Sequence, residues 1–156
     1  MAITVSFYGL TMEKIAEGAS VGVGAAADVD YLGGTVRLSL HTDVTTPDRD
    51  VHNFFDDMST NELANGNGYV TLGELAGSKT ITYDTASDQV RWDLADITWT
   101  FTAAKTWRYG VVWINTAGAS STDPLYALLT WDSNQTVSTA YTLQFDPAGL
   151  LFIDTT

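Results

Sequence analysis

From Lys79 onward, apolar and polar residues alternate almost without a break, and this pattern restricts the fold more than any other feature of the sequence. Alternation with period two puts successive side chains on opposite faces of an extended strand, so a chain that sustains it must build sheets. Ile81 and Tyr83 share one face, as do Val90, Trp92 and Leu94, and Ile97, Trp99 and Phe101. Trp107, Tyr109, Val111 and Trp113 form the next set, yet Val112 and Ile114 between them are apolar too. A strand apolar on both sides belongs in the middle of a sheet. Leu125, Ala127, Leu129 and Trp131 oppose Tyr126, Leu128 and Thr130, while Tyr141, Leu143 and Phe145 alternate with Thr142 and Gln144. The segments DTASDQ, TAAKT, NTAGASSTDP, DSNQTVSTA and DPAG read as the turns and loops between them.

The first third is more varied. ITVSFY (3–8) reads as a strand, and GLTMEKIAEGA as a short helix with Thr11 as a candidate cap. Residues 18–34 are rich in Gly and Ala. They read either as a plain surface loop or as an arm that orders against a partner chain. TVRLSLHTD is a half-buried strand, with Val36, Leu38 and Leu40 inward and Arg37, Ser39 and His41 outward. The expectation is an all-β fold of about seven to nine strands: a single-domain antiparallel β-sandwich or barrel, jelly-roll-like, with one or two short helices. Residues 1–34 hold the first strand, the helix and the arm, and residues 35–156 the core.

TPDRDVHNFFDDMSTNEL (46–63) interrupts the alternation with one His, two Phe and four Asp. Thr46 before Pro47 suits a helix start, and Val51, Phe54, Phe55 and Met58 fall at i, i+3, i+4, i+7. Ser59 and Glu62 have capping-box spacing for a further turn. The expectation is a short amphipathic helix that plugs the sheet through Phe54 and Phe55. The acids do not fit a calcium loop, for there is no D-x-[DN]-x-[DN]-G run, and Asp56 and Asp57 would point about 100° apart on a helix.

Composition narrows the function. The chain has no Cys, which excludes disulfides and thiolate metal sites. Its formal net charge of −12 repels phosphate and argues against nucleic-acid binding. The N-terminus lacks the basic and apolar regions of a signal peptide, and no apolar run approaches the ~20 residues that cross a bilayer. His41 and His52 are the only histidines, and nothing resembles G-x-S-x-G or another nucleophile motif. No catalytic, cofactor-binding or metal-ligating residue is assigned. The five Trp suggest sugar stacking, but four sit on faces shared with aliphatic residues; Trp107, beside Arg108 at a strand start, is the candidate for a rim.

Several blocks in order, TPDRDVHNFFDDMSTNEL, GNGY, KTITYDTASDQVRWDLADITWT, WRYGVVWINTAG, DPLYALLTWD and YTLQFDPAGLLFI, resemble a small virion structural protein of tailed double-stranded DNA phages. The likeness runs from about Val36 to the C-terminus. It implies a capsid decoration (cement) protein on the outer surface of the phage head, or else a head-fibre or tail component with a glycan-binding β domain. It brings no catalytic residue and no cofactor. The implied partners are the major capsid protein and further copies of the chain, as a homotrimer, without nucleic acid or membrane. Val21, Val23, Tyr31 and Leu32 of the arm, with Trp107 and Arg108, are the expected contact residues.

Overall fold

The computed structural model describes residues 2–17, 31–145 and 151–154. It is all-β, with antiparallel sheets that form no closed barrel among the described residues. The strands are β1 (Ile3–Phe7), β2 (Thr35–His41), β3 (Glu74–Leu75), β4 (Thr80–Asp84), β5 (Gln89–Asp93), β6 (Ile97–Thr100), β7 (Lys105–Asn115), β8 (Leu125–Val137), β9 (Ala140–Leu143) and β10 (Leu151–Asp154). Two α-helices, α1 (Gly9–Glu17) and α2 (Phe55–Ser59), and a 3₁₀ turn at Ser120–Thr122 complete the described elements.

A five-stranded sheet in the order β1-β8-β7-β2-β3 is the main layer. A three-stranded sheet, β10-β5-β4, and a two-stranded one, β6-β9, supply the facing layer. Between them lies the main core: Val36, Leu38 and Leu40 of β2, Val112 and Ile114 of β7, and Leu129 and Trp131 of β8 meet Trp92, Ile97, Trp99 and Leu143. This is the two-layer solution for sheets that each carry one apolar face. β7 is central, as its doubly apolar sequence requires, with β2 on one side and β8 on the other.

The opposite face of the five-stranded sheet is also covered. Tyr109, Val111 and Trp113 of β7 and Leu125 and Leu128 of β8 form a second core with Tyr8, Phe55 and Met58. Ser39 and His41, expected on a solvated side of β2, are therefore buried.

Two irregularities decide which residues face which core. The β7–β8 register shifts between Trp107 and Tyr109 and again between Val112 and Trp113. A bulge inserts one residue and reverses the alternation beyond it. Trp107 thus joins the main core while Tyr109, Val111 and Trp113 join the second, so the four do not share a face. Leu125 likewise parts from Ala127, Leu129 and Trp131. Gly110 leaves room for the Trp131 indole, whose ring carbons would lie 3.1 Å from a Cβ at that position.

Other expectations are refined. Thr11 does not cap α1; it lies inside the helix, buried, and its hydroxyl donates to the Leu125 carbonyl. Residues 132–137 are strand and not a turn, and 135–137 pair with the start of β7. Ile81 and Tyr83 share a face of β4, but that face is exposed. The DPAG turn and most of the Gly/Ala arm lie outside the described residues.

Candidate functional site

The segment from Thr42 to Leu63 folds across the second core. Its helix is shorter than the apolar spacing suggests. Asp48 forms a side-chain turn, its carboxylate accepting from the Asp50 N–H at 3.0 Å, and the His52 ring accepts from the Asp48 N–H at 3.1 Å. These local bonds compete with helix. Val51 is consequently exposed, and Phe54 is extended and bridges to Pro124. The helix begins only at Phe55, where the Asp57 carboxylate accepts from the N–H groups of Asn53 at 2.8 Å and Phe54 at 3.1 Å. Ser59 ends the helix instead of capping another turn; its hydroxyl donates to the Asp56 carbonyl. Phe55 alone is the plug, with its ring stacked on Trp113.

Beneath this cover, the His41 Nε2 and Ser39 Oγ are 2.7 Å apart. A serine hydroxyl against an imidazole looks like a nucleophile with a base. Both residues are 0% exposed, and Phe55 sits edge-on to the imidazole at 6.3 Å between centroids. Burial holds His41 far below its ordinary range, at about 3. A pair sealed in this way has no route to a substrate.

On the neighbouring edge, the chain from Glu62 to Ala76 wraps β2. The Tyr69 hydroxyl donates to Glu62 at 2.8 Å and accepts from the Leu40 N–H at 3.0 Å. Burial raises both groups, Tyr69 and the Glu62 carboxyl, above their usual values. The Arg37 guanidinium donates to the Gly73 carbonyl. The Val70–Gly73 turn places Leu72 at φ +74°, a conformation rare for a bulky side chain. Val70, Leu72 and Leu75 are all exposed there. With Ile81 and Tyr83 on the edge strand β4, these are apolar side chains that the fold leaves in water. Alternation in the sequence shows that Ile81 and Tyr83 share a face; it carries no mark that the face is bare.

Charge on the surface is one-sided. Six of the seven cations are engaged within the chain: Lys14 with Glu13, Arg91 with Asp84, and Arg37, Arg49, Lys79 and Lys105 with backbone carbonyls. The 19 Asp and Glu outnumber the seven cations, so the formal charge stays strongly negative.

The six expected contact residues separate. Val21 and Val23 lie outside the described residues. Tyr31 is buried, stacked on Tyr126 at 5.0 Å and donating to the Asp93 carbonyl at 2.8 Å. Trp107 is 0% exposed and corrects the expectation of a rim position, because the bulge turns it into the main core. Leu32 is 52% exposed, and Arg108 is partly so. All five Trp are buried, so none offers a face for a sugar ring to stack on. Among the described residues, no group of three or more His, Asp or Glu could hold a metal ion, and no helix is long and apolar enough to cross a membrane.

Comparison with protein-family models, with curated proteins and with solved structures finds no match to this chain.

Proposed function

We propose that this protein is a non-enzymatic capsid decoration protein that binds the outer face of an assembled phage head and stabilises it by protein–protein contacts. The observation that carries the reading is the division of its surface. Exposed aliphatic and aromatic side chains line two sheet edges, β3 with its preceding turn and β4, on a body of formal net charge −12. The resemblance of residues 36–156 to phage virion proteins supplies the partner: the major capsid protein, met on the side away from the genome. A −12 chain is repelled by packaged DNA and suited to the side facing water.

Such a protein works by mass action. It binds the assembled lattice and not loose subunits, so it shifts the balance toward the lattice. Three copies around a local three-fold axis would multiply weak individual contacts through effective concentration. We assign the contact to Val70, Leu72 and Leu75 and to Ile81 and Tyr83, with Leu32 and Arg108 as further solvent-reaching candidates.

Co-sedimentation with expanded, undecorated heads tests this. The protein should bind to saturation at a fixed ratio of copies to lattice sites. Leu72→Asp with Leu75→Asp, or Ile81→Lys with Tyr83→Lys, should weaken binding at least tenfold without loss of fold. Binding to loose capsid subunits as tight as to the shell would contradict the reading.

A further inference from the structure

The second core holds a base that the proposed role does not use. The His41 imidazole is fully enclosed; Nε2 meets Ser39 Oγ, Nδ1 has no hydrogen-bond partner among the described residues, and only the Met58 backbone offsets in part the penalty that burial puts on a protonated ring. A protonated ring would bring two N–H donors and a charge into a space lined by Phe55, Met58, Tyr109, Val111 and Trp113. Among the described residues, no carboxylate is bonded to the ring. On β2 the charged neighbour is Arg37, itself a cation, held by the Gly73 carbonyl. Tyr109 of β7 is paired with His41 across the ladder. On α2, Asp56 and Asp57 are exposed, and Asp57 is committed to the helix start. Glu62 bridges His41 through its backbone, but its carboxylate is bonded to Tyr69.

The cover over this base is held by the Phe55 and Met58 side chains in the second core and by a small set of backbone bonds. Backbone bonds from Thr42 to Asn61 and from Leu63 to Leu40 close its ends, while Phe55 to Asp123, Leu125 to Asn53 and Gly9 to Arg49 tie it across. The sheet below is a continuous ladder of β1, β8, β7 and β2. Segments joined by few bonds open locally at less cost than the whole molecule.

We propose that the segment Thr42–Leu63 is an acid-released cover: uptake of one proton by His41 swings α2 off the five-stranded sheet and bares the second apolar face while the ladder beneath stays paired. The ring takes the proton near 6.5 when open and near 3 when closed, so opening is independent of pH above about 6.5. Below that, it rises by up to tenfold per pH unit until the closed form itself can be protonated. Glu62 acts in the opposite sense. Its buried carboxyl is raised, so taking up a proton steadies the closed form. Glu62→Gln should therefore steepen the acid response.

Amide hydrogen exchange by NMR between pH 7 and pH 4, corrected for the intrinsic rate, reads the opening directly. The Phe55 and Leu63 amides should gain about tenfold in opening per pH unit below 6.5, and at every pH they should open more readily than the most protected amides of β7 and β8, whose exchange requires the sheet itself to unfold. His41→Gln should flatten the response of the cover. Because that variant could lose its fold, the His41 ring resonances of the natural protein give a second reading: the ring should stay neutral in the closed form at pH 5. Equal opening constants for cover and ladder, a ring that titrates near 6.5 with the cover still protected, or a folded His41→Gln protein with an unchanged slope would each overturn the proposal.

Discussion

The Phe55 ring lies over the Trp113 indole with centroids 4.1 Å apart and planes 20° from parallel, and this stack joins the cover to the central strand. Both residues are buried, whereas Phe54 is only partly so. Phe55→Ala should cost about 3–5 kcal/mol in urea unfolding, the range for removing a buried aromatic ring. Phe54→Ala should cost clearly less, about 1 kcal/mol, because its role lies mainly in backbone pairing to Pro124. Equal losses would show that both rings plug the sheet.

Asp56 and Asp57 are adjacent and acidic, yet the fold uses them differently. Asp57 accepts two N–H groups at the start of α2; no such bond is made by the exposed Asp56 carboxylate among the described residues. Asp57→Ala should lose about 1 kcal/mol, the usual worth of a helix-start acceptor. Asp56→Ala should stay within about 0.5 kcal/mol of the parent. Thermal melts at pH 7 separate the two.

Gly66 and Gly68 both have positive φ, +104° and +84°, but only one is enclosed. A Cβ on Gly68 would fall 1.9 Å from the Thr100 carbonyl oxygen, whereas a Cβ on Gly66 meets nothing within 4 Å. Gly68→Ala must displace backbone and should cost several kcal/mol. Gly66→Ala bears the conformational strain alone, about 1–2 kcal/mol. Chemical denaturation of the two variants checks the order.

The five indoles should report a dry interior. Emission should be blue-shifted at pH 7, with little quenching by acrylamide, since every Trp is at most 5% exposed. A panel of glycans should leave the spectrum unchanged. A sugar that shifts it would reopen a receptor role for the β domain.

Much of the architecture can be read directly from the residues. The alternating sets locate most strands, and the doubly apolar WRYGVVWIN places β7 at the centre, where the structure has it. What alternation cannot convey is a bulge. Between Trp107 and Tyr109 the partner on β8 slips from Gln135 to Thr130 and the faces exchange, and no residue type there announces it. The second core was hidden for another reason: Ser39 and His41 read as an outer face because their cover arrives from residues 42–63. In that segment the 3.6-residue spacing of Val51, Phe54, Phe55 and Met58 overstates the helix. Asp48, His52 and Asp57 hold the preceding backbone in turns through short-range bonds. Of the expected contact residues, Trp107 misled for the same reason as its strand.

The most direct test of adhesion as the working principle is a calorimetric heat challenge of expanded phage heads with and without the protein. The account predicts that saturating protein raises the shell's melting transition by several degrees, and that the paired edge variants at Leu72 with Leu75 or at Ile81 with Tyr83 remove the increase. A transition unmoved at full occupancy, or no occupancy at all, would contradict it.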